Sequence, residues 1–325
     1  MGDLIQTFPA ITDAVNAIPG TTFDWVVEAP FSDVPTLHPA VHRVIPTHLR
    51  AWKKNIIKSI FSKAPYLVMK TVRQGDYDLV IDAQGLIKSA IVTRFARKNR
   101  HGFDKYSCRE KLASLLYNKK HHCEPKQHAI QRIRQLFSQA LNYPLPTSQP
   151  NFNITLPPTT STLALKKPHV ICLHSTTWSS KHWPEEQWIT LIQKLTAKGL
   201  SVYLPWNTEV EHARAQRLNI NTDTHILPKS NIVTIAHLLK DATAVVSVDT
   251  GLGHIASALN TTTITIYGAT NPQEIGSAGE HCIHLRAHRD CSPCKLKVCK
   301  YNKDTPPCYK TVNAEKVFQT LMQNL

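Results

Sequence analysis

The sequence predicts an α/β protein made of doubly wound, parallel-sheet domains, and three observations predict it. Short β-branched apolar runs alternate with amphipathic helical patterns along the chain, the signature of strands linked through crossover helices. At 325 residues the chain is long enough to bury two cores. The run Val245-Val246-Ser247-Val248 ends in Asp249-Thr250, turns through Gly251-Leu252-Gly253 and continues as a helical pattern from His254. Such a turn aims unpaired N–H groups and the positive end of a helix dipole at the mouth of a parallel sheet, where a phosphate-bearing ligand binds. The same layout also serves an ordinary strand–turn–helix connection.

The elements follow in order. Leu4, Phe8, Ile11 and Val15 have helical spacing, and Pro19-Gly20 ends that helix. Residues 22–28 and 77–81 read as strands, the second stopping at Asp82-Ala83-Gln84-Gly85 before an Ile- and Ala-rich helix. Residues 127–141 form a helix read as basic on its outer face. The stretch 144–168, rich in Pro, Ser and Thr, reads as an interdomain linker, giving domains at 1–150 and 166–325. The second domain opens with a strand at 169–173 and a loop from His174 to Trp183. Pro184, Glu185 and Glu186 suit the first turn of the next helix, which Gly199 closes. A strand at 200–204, helices at 209–218 and 231–239, the Asp249 unit and a strand at 263–267 follow. The last helix, 314–321, is amphipathic and is expected to pack back on the first domain.

The start departs from this pattern. A doubly wound domain normally begins with a strand that feeds its first helix. Here that strand is absent, so the expectation is a start set downstream of the true one, a truncated gene or a domain short of a central strand, whose loss would expose ladder groups.

Formal net charge is +15, and residues 1–150 carry 21 Lys/Arg against 11 Asp/Glu. Between Arg43 and Arg73 there are eight basic residues and no acidic one, with Trp52 and Phe61 interleaved. That balance suits nucleic acid, anionic lipid or a phosphorylated substrate, or a solvated basic face with no partner. No apolar run reaches the length of a membrane span, and no secretory signal opens the chain, so a cytoplasmic site is expected. Four of the eight cysteines, Cys291, Cys294, Cys299 and Cys308, fall close together. Their Cys-x2-Cys opening resembles half of a zinc site, but the second half is too loosely spaced, and free thiols in a C-terminal loop are the favoured reading. Gly251-Leu252-Gly253 lacks the third glycine of a dinucleotide fingerprint, and no acid follows at the expected distance, which argues against an oxidoreductase.

The chain resembles the bacterial lipopolysaccharide heptosyltransferases, glycosyltransferase family 9, and within them the type that adds the first heptose. The resemblance rests on Met1-Gly2-Asp3, Phe8 to Ala14, Phe23 to Glu28, Ile81 to Leu86 and Leu112 to Asn118. It continues in Lys181-His182-Trp183-Pro184-Glu185-Glu186, Leu204-Pro205-Trp206 and Ser247 to Leu252. It implies the GT-B architecture, two Rossmann-like domains facing a cleft, the first binding acceptor and the second ADP-sugar. It also implies inverting transfer of L-glycero-D-manno-heptose from ADP-heptose to a Kdo residue of the lipid A inner core. No cofactor is implied. The implied partners are ADP-heptose and Kdo-lipid A, met by a peripheral monomer on the anionic cytoplasmic face of the inner membrane.

By this resemblance Asp3 is the catalytic base that takes the acceptor proton as the anomeric centre becomes oxocarbenium-like; from the residues alone it reads as a helix N-cap. The leaving diphosphate needs positive charge and N–H donors, a task the resemblance gives to Lys181, Thr176, Thr177, Thr250 and Gly251. Asp249 is expected near the donor sugar, with an N-cap as the bland alternative. Glu211 is expected on the nucleotide ribose, or is an exposed helix acid. His254 touches the diphosphate or packs. Arg50, Lys53, Lys54 and Arg109 are acceptor-side positions. Lys53 stands where the family often has arginine, which weakens bidentate carboxylate recognition there.

The cysteine spacing is nearer that of the second-heptose type, which makes that transferase the nearest alternative. A basic nucleic-acid-binding protein is the alternative from another class, opposed by the lack of any nucleic-acid module; no nucleic-acid partner is expected. A catalytically inactive truncated paralogue is the third.

Overall fold

A computed structural model describes residues 1–49, 63–158, 163–302 and 305–325. They form two compact units, one of Gln6–Thr155 and one of Met1–Ile5 with Leu156–Leu325. The boundary falls inside the predicted Pro-rich stretch.

In the N-terminal unit, β1 (Phe23–Glu28) pairs in parallel with β2 (Val41–Thr47). Separately, β3 (Leu79–Asp82), β4 (Asn99–Phe103) and β5 (Lys119–His121) form a parallel three-stranded sheet. Among the described residues no strand joins β1 to β3. Side chains of the two sheets still pack together. Trp25 and Ile81 share one apolar cluster with Ile11 and Phe137, and Val26 and Val80 share another with Val72 and Phe95. Alternate residues of a strand point to opposite faces, so β1 and β3 each contribute to two cores. The N-terminal helical pattern is realised as two helices, Gly2–Ile5 and Phe8–Ala17. The helix Ala129–Leu141 is not basic all along its outer face. Arg134 is fully buried and forms a bidentate pair with Asp13, at 2.6 and 3.3 Å, which ties this helix to Phe8–Ala17.

The C-terminal unit holds six parallel strands: β6 (His169–Leu173), β7 (Ser201–Leu204), β8 (Thr224–Ile226), β9 (Ala244–Val248), β10 (Thr263–Tyr267) and β11 (Cys282–Arg286). Their order is β11-β10-β9-β6-β7-β8. The chain winds one way from β6 and the other way from β9, so the switch point lies between these two neighbours, where ligands of open α/β sheets bind. Val170, Cys172, Val246, Val248, Ile264 and Ile266 alternate along the strands into one core with Trp188, Leu191, Ile192 and Leu195 of the helix Glu185–Ala197. Each such Leu or Ile contributes roughly 1.5–3 kcal/mol on burial. Gly199 closes that helix at φ 77°, a left-handed conformation glycine adopts without strain.

The last helix, Ala314–Met322, belongs to the C-terminal unit: Val317, Phe318 and Leu321 enter its core beside Glu185–Ala197, where the helix's apolar stripe meets Leu191 and Leu195. Residues Met1–Ile5, expected with the N-terminal domain, group with the C-terminal unit and pack on the helix Gly251–Ala258. Glycines permit the approach. A Cβ on Gly251 would stand 2.4 Å from the Met1 Cβ, and one on Gly2 would stand 2.9 Å from the His254 ring.

Candidate active site

The loops leaving the C-terminal ends of β6 and β9 converge at the switch point. From β9 comes Asp249, 5% exposed. From β6 comes the loop ending in the single 3-10 turn Ser179–Lys181. Lys181 Nζ lies 2.7 Å from Asp249 Oδ2 and 4.6 Å from the centre of the Trp178 ring. Thr270, just beyond β10, donates its hydroxyl to the same Asp249 oxygen at 2.5 Å. His254 Nε2 stands 3.8 Å from Asp249 Oδ1. Burial alone would raise the Asp249 carboxyl, but the His254 and Lys181 side chains outweigh it and hold the group well below the usual carboxylate range. Asp249 is therefore not a helix cap. Thr250 occupies the N-cap position of Gly251–Ala258, without a side-chain cap bond, which leaves the first N–H groups of that helix available to a ligand anion.

The Lys181 loop is braced from several sides. Ser180 donates through its backbone N–H to Lys297 O at 3.2 Å and through its hydroxyl to Leu296 O at 2.5 Å. Tyr309 donates to Ser180 O at 3.3 Å. Thr176 donates its hydroxyl to Asp249 O at 3.2 Å, which joins the two loops directly. Its own carbonyl accepts from His182 Nε2 at 2.8 Å. The other His182 nitrogen faces an Arg214 guanidinium nitrogen at 3.4 Å, and Arg214 also donates to Trp183 O at 2.7 Å. Burial, with Arg214 nearby, lowers the His182 pKa, so the ring serves as a neutral donor to Thr176.

Of the remaining sequence-predicted residues, Thr177 is exposed in this loop. Asp3 is exposed in the first turn of Gly2–Ile5, the segment that rests on Gly251 and His254. Glu211 forms a capping box: its Oε2 accepts from Asn207 N at 2.8 Å and Thr208 N at 3.0 Å. Arg109 is exposed in the N-terminal unit, where its backbone N lies 3.4 Å from the place a Cβ on Gly85 would take. The Asp82 carboxylate that ends β3 is used internally by Tyr117, Ser89 and Gln84, at 2.6, 2.8 and 2.9 Å. Arg50, Lys53 and Lys54 lie outside the described residues.

All eight cysteines are free. Burial and the neighbouring Cys299, Cys291 and Cys294 push the Cys308 thiol up to about 11. Among the described residues no group of three His, Cys, Asp or Glu side chains is placed to hold a metal ion. The cysteine loop backs the Lys181 turn through Leu296 and Lys297. Thr270, His182 and Arg214 are the site residues that sequence reading gave no role. The only signal for Thr270 was its place just past the strand neighbouring β9.

Among solved structures the chain is similar to the E. coli heptosyltransferase WaaC with ADP, with a TM-score of 0.85 and 38% identity over 100% of this chain and 97% of that one. The same enzyme with ADP-2-deoxy-2-fluoro heptose gives 0.84, with the same identity and coverage. These likenesses, with the two Rossmann-like units and the anion-ready switch point, define a glycosyltransferase of GT-B architecture. The profile of glycosyltransferase family 9 (heptosyltransferase) matches residues 66–304. Lipopolysaccharide heptosyltransferase 1 of Pseudomonas aeruginosa is 41% identical over 331 residues, covering 98% of this chain and 93% of that protein. The protein of that name in Escherichia coli K12 is 43% identical over 292 residues, covering 89% and 92%. The chain belongs to glycosyltransferase family 9, the heptosyltransferases.

Proposed function

We propose that this protein transfers L-glycero-D-manno-heptose, with inversion, from ADP-heptose to a Kdo residue of the lipid A inner core. The observation that carries the reading is the ion pair of Lys181 with the buried Asp249 at the N-terminus of the helix Gly251–Ala258. Its support is the likeness to WaaC, solved with ADP and with a fluorinated ADP-heptose.

In this reading the donor diphosphate takes the N-terminal N–H groups of Gly251–Ala258 and the ammonium of Lys181. Thr176, Thr177, Thr250 and His254 complete that side, and Asp249 and Glu211 face the heptose and the nucleotide ribose. The acceptor hydroxyl oxygen attacks the anomeric carbon while the carbon–oxygen bond to the diphosphate breaks. The electron pair leaves with ADP, and the proton passes to the Asp3 carboxylate. Lys181 and the helix dipole offset the charge that grows on the leaving oxygen. The N-terminal unit presents the acceptor, with Arg109 and the sequence positions Arg50, Lys53 and Lys54 facing its carboxylates and phosphates. The enzyme works as a monomer, without a cofactor, peripheral on the cytoplasmic face of the inner membrane.

Calorimetry with ADP and ADP-heptose tests the donor half: the native chain gives binding heat, and Lys181→Ala reduces affinity at least tenfold. Absence of heat with the native chain overturns the proposal. The cysteine spacing favours a second reading, addition of the second heptose. Turnover on Kdo-lipid A against a mono-heptosylated acceptor decides between them.

A further inference from the structure

The N-terminal unit carries a second cationic feature, at the opposite ends of its strands from Gly85 and Arg109. A solvent-open cleft of about 570 Å³ is lined by Arg94, Arg97, Lys98, Arg100, Asn118 and Asp78, among others. Asp78 directly precedes β3, Lys98 precedes β4, and Asn118 precedes β5. Four cations thus share one cleft with a single carboxylate. The nearby Asp76, which pairs with Lys98 at 3.4 Å, is itself almost fully exposed.

Arg100 is oriented by a bond from its Nε to Leu116 O at 3.0 Å, and its backbone N–H is held by Asn118 at 3.2 Å. Burial and the charge of Arg94 both lower the Arg100 pKa, so two guanidiniums are held close enough to repel. Arg94 caps the C-terminus of the helix Ile87–Thr93, where a cation offsets the dipole. Lys119 and Lys120 extend the charge, exposed on β5.

An apolar element adjoins the cleft. Ala96, which lines it, packs in one cluster with Val68 and Val72 of the helix Lys63–Gln74. That helix leaves Tyr66 and Leu67 exposed, at 64% and 55%, with Lys70 beside them. Clustered cations fit anionic headgroups, and the exposed Tyr66 and Leu67 stand on a helix whose other face packs in the cluster that includes Ala96.

We propose that this cleft binds the phosphate groups of anionic lipid headgroups and seats the N-terminal unit on the membrane that carries the acceptor. The inference rests on the reading above that the acceptor is lipid-borne, and it names the surface that meets the bilayer. Guanidiniums suit phosphate through paired N–H donors. The attraction falls with salt as surface electrostatics require.

The test is co-sedimentation of the full chain with vesicles of phosphatidylcholine alone or with about one third phosphatidylglycerol, at low and at moderate salt. The native chain partitions onto the anionic vesicles only, and less at higher salt. Arg94→Gln/Arg97→Gln, both exposed, lowers partition at least fivefold while unfolding midpoint and turnover on detergent-dispersed acceptor stay unchanged. Arg94→Lys/Arg97→Lys restores most of the partition. Equal partition of the native chain and the Gln variant overturns the proposal. So does a result in which the Gln variant loses only binding of inorganic phosphate, which would make the cleft a site for a soluble anion. Vesicle partition needs neither donor nor turnover, so its failure is separable from failure of the proposed transfer.

Discussion

Thr270 and Asp249 are 21 residues apart in sequence, yet the threonine hydroxyl donates to the carboxylate at 2.5 Å, on the same oxygen that pairs with Lys181. The bond fixes the carboxylate so that its negative charge draws Lys181 to one place. A hydrogen bond to a charged group contributes about 1.5–3 kcal/mol. Thr270→Val is therefore expected to lower kcat/KM for the donor about tenfold or more, and Thr270→Ser to restore most of it. Steady-state kinetics with both variants checks this. A loss in Thr270→Ser with none in Thr270→Val would mean that packing of the methyl group, not the hydroxyl, is what matters.

Asp3 reaches the C-terminal unit on a five-residue segment that rests against Gly251 and His254. Asp3→Asn should retain ADP binding by calorimetry and lose most turnover, because it removes the proton acceptor and leaves the diphosphate contacts. Gly251→Ala tests the placement of that segment. Its new Cβ would meet the Met1 Cβ at 2.4 Å, so residues 1–5 must shift, and kcat should fall more than the unfolding midpoint does.

His182 joins the Arg214 guanidinium to the Thr176 carbonyl. Its removal should loosen the turn that carries Lys181 without touching the ligand anion directly. His182→Ala is expected to weaken ADP binding by about tenfold in titration calorimetry, an effect of roughly 1.4 kcal/mol. His182→Asn, which keeps a donor, should recover part of it.

The pair of Asp13 and Arg134 is buried on both sides, with the Arg134 side chain fully covered. Removing one partner strands the other charge, which costs about 3–5 kcal/mol. Asp13→Ala should therefore lower stability strongly in urea denaturation. Asp13→Ala/Arg134→Met should be more stable than Asp13→Ala alone, since no charge is left uncompensated.

His38 is buried, and burial lowers its pKa to about 4. Its Nδ1 accepts from Ala40 N–H at 3.2 Å, and its Nε2 bonds the Thr12 hydroxyl at 3.0 Å. Protonation would destroy the first bond. The unfolded chain binds this proton from about pH 6.5 downward and the folded chain only near pH 4, so stability falls as pH drops through that window. At pH 5 the loss attributable to His38 is about 2 kcal/mol. His38→Gln should show a smaller decrease between pH 7 and pH 5 in urea unfolding, whatever its stability at pH 7.

Much of the fold could be read locally. Helices Glu209–Leu218 and Ala314–Met322 and strand Thr263–Tyr267 stand at or within a residue of where periodicity puts them. Strands β2, β4, β5, β8 and β11 could not be read this way. They are short or carry polar and charged residues, such as His42 and Arg43 in β2, and are strands only because a neighbour completes their hydrogen bonds.

By itself the sequence determined the α/β class, the glycine turn after Asp249 and the Lys181 loop, since these depend on side-chain period and turn chemistry within a few residues. Tertiary structure alone decided that Lys181 meets Asp249, that Thr270 joins them, that Arg134 is buried and that Met1–Ile5 rests on the helix Gly251–Ala258. Each of those contacts spans tens to hundreds of residues, and it forms only once strand pairing and helix packing within its own unit have closed the intervening loops and excluded water.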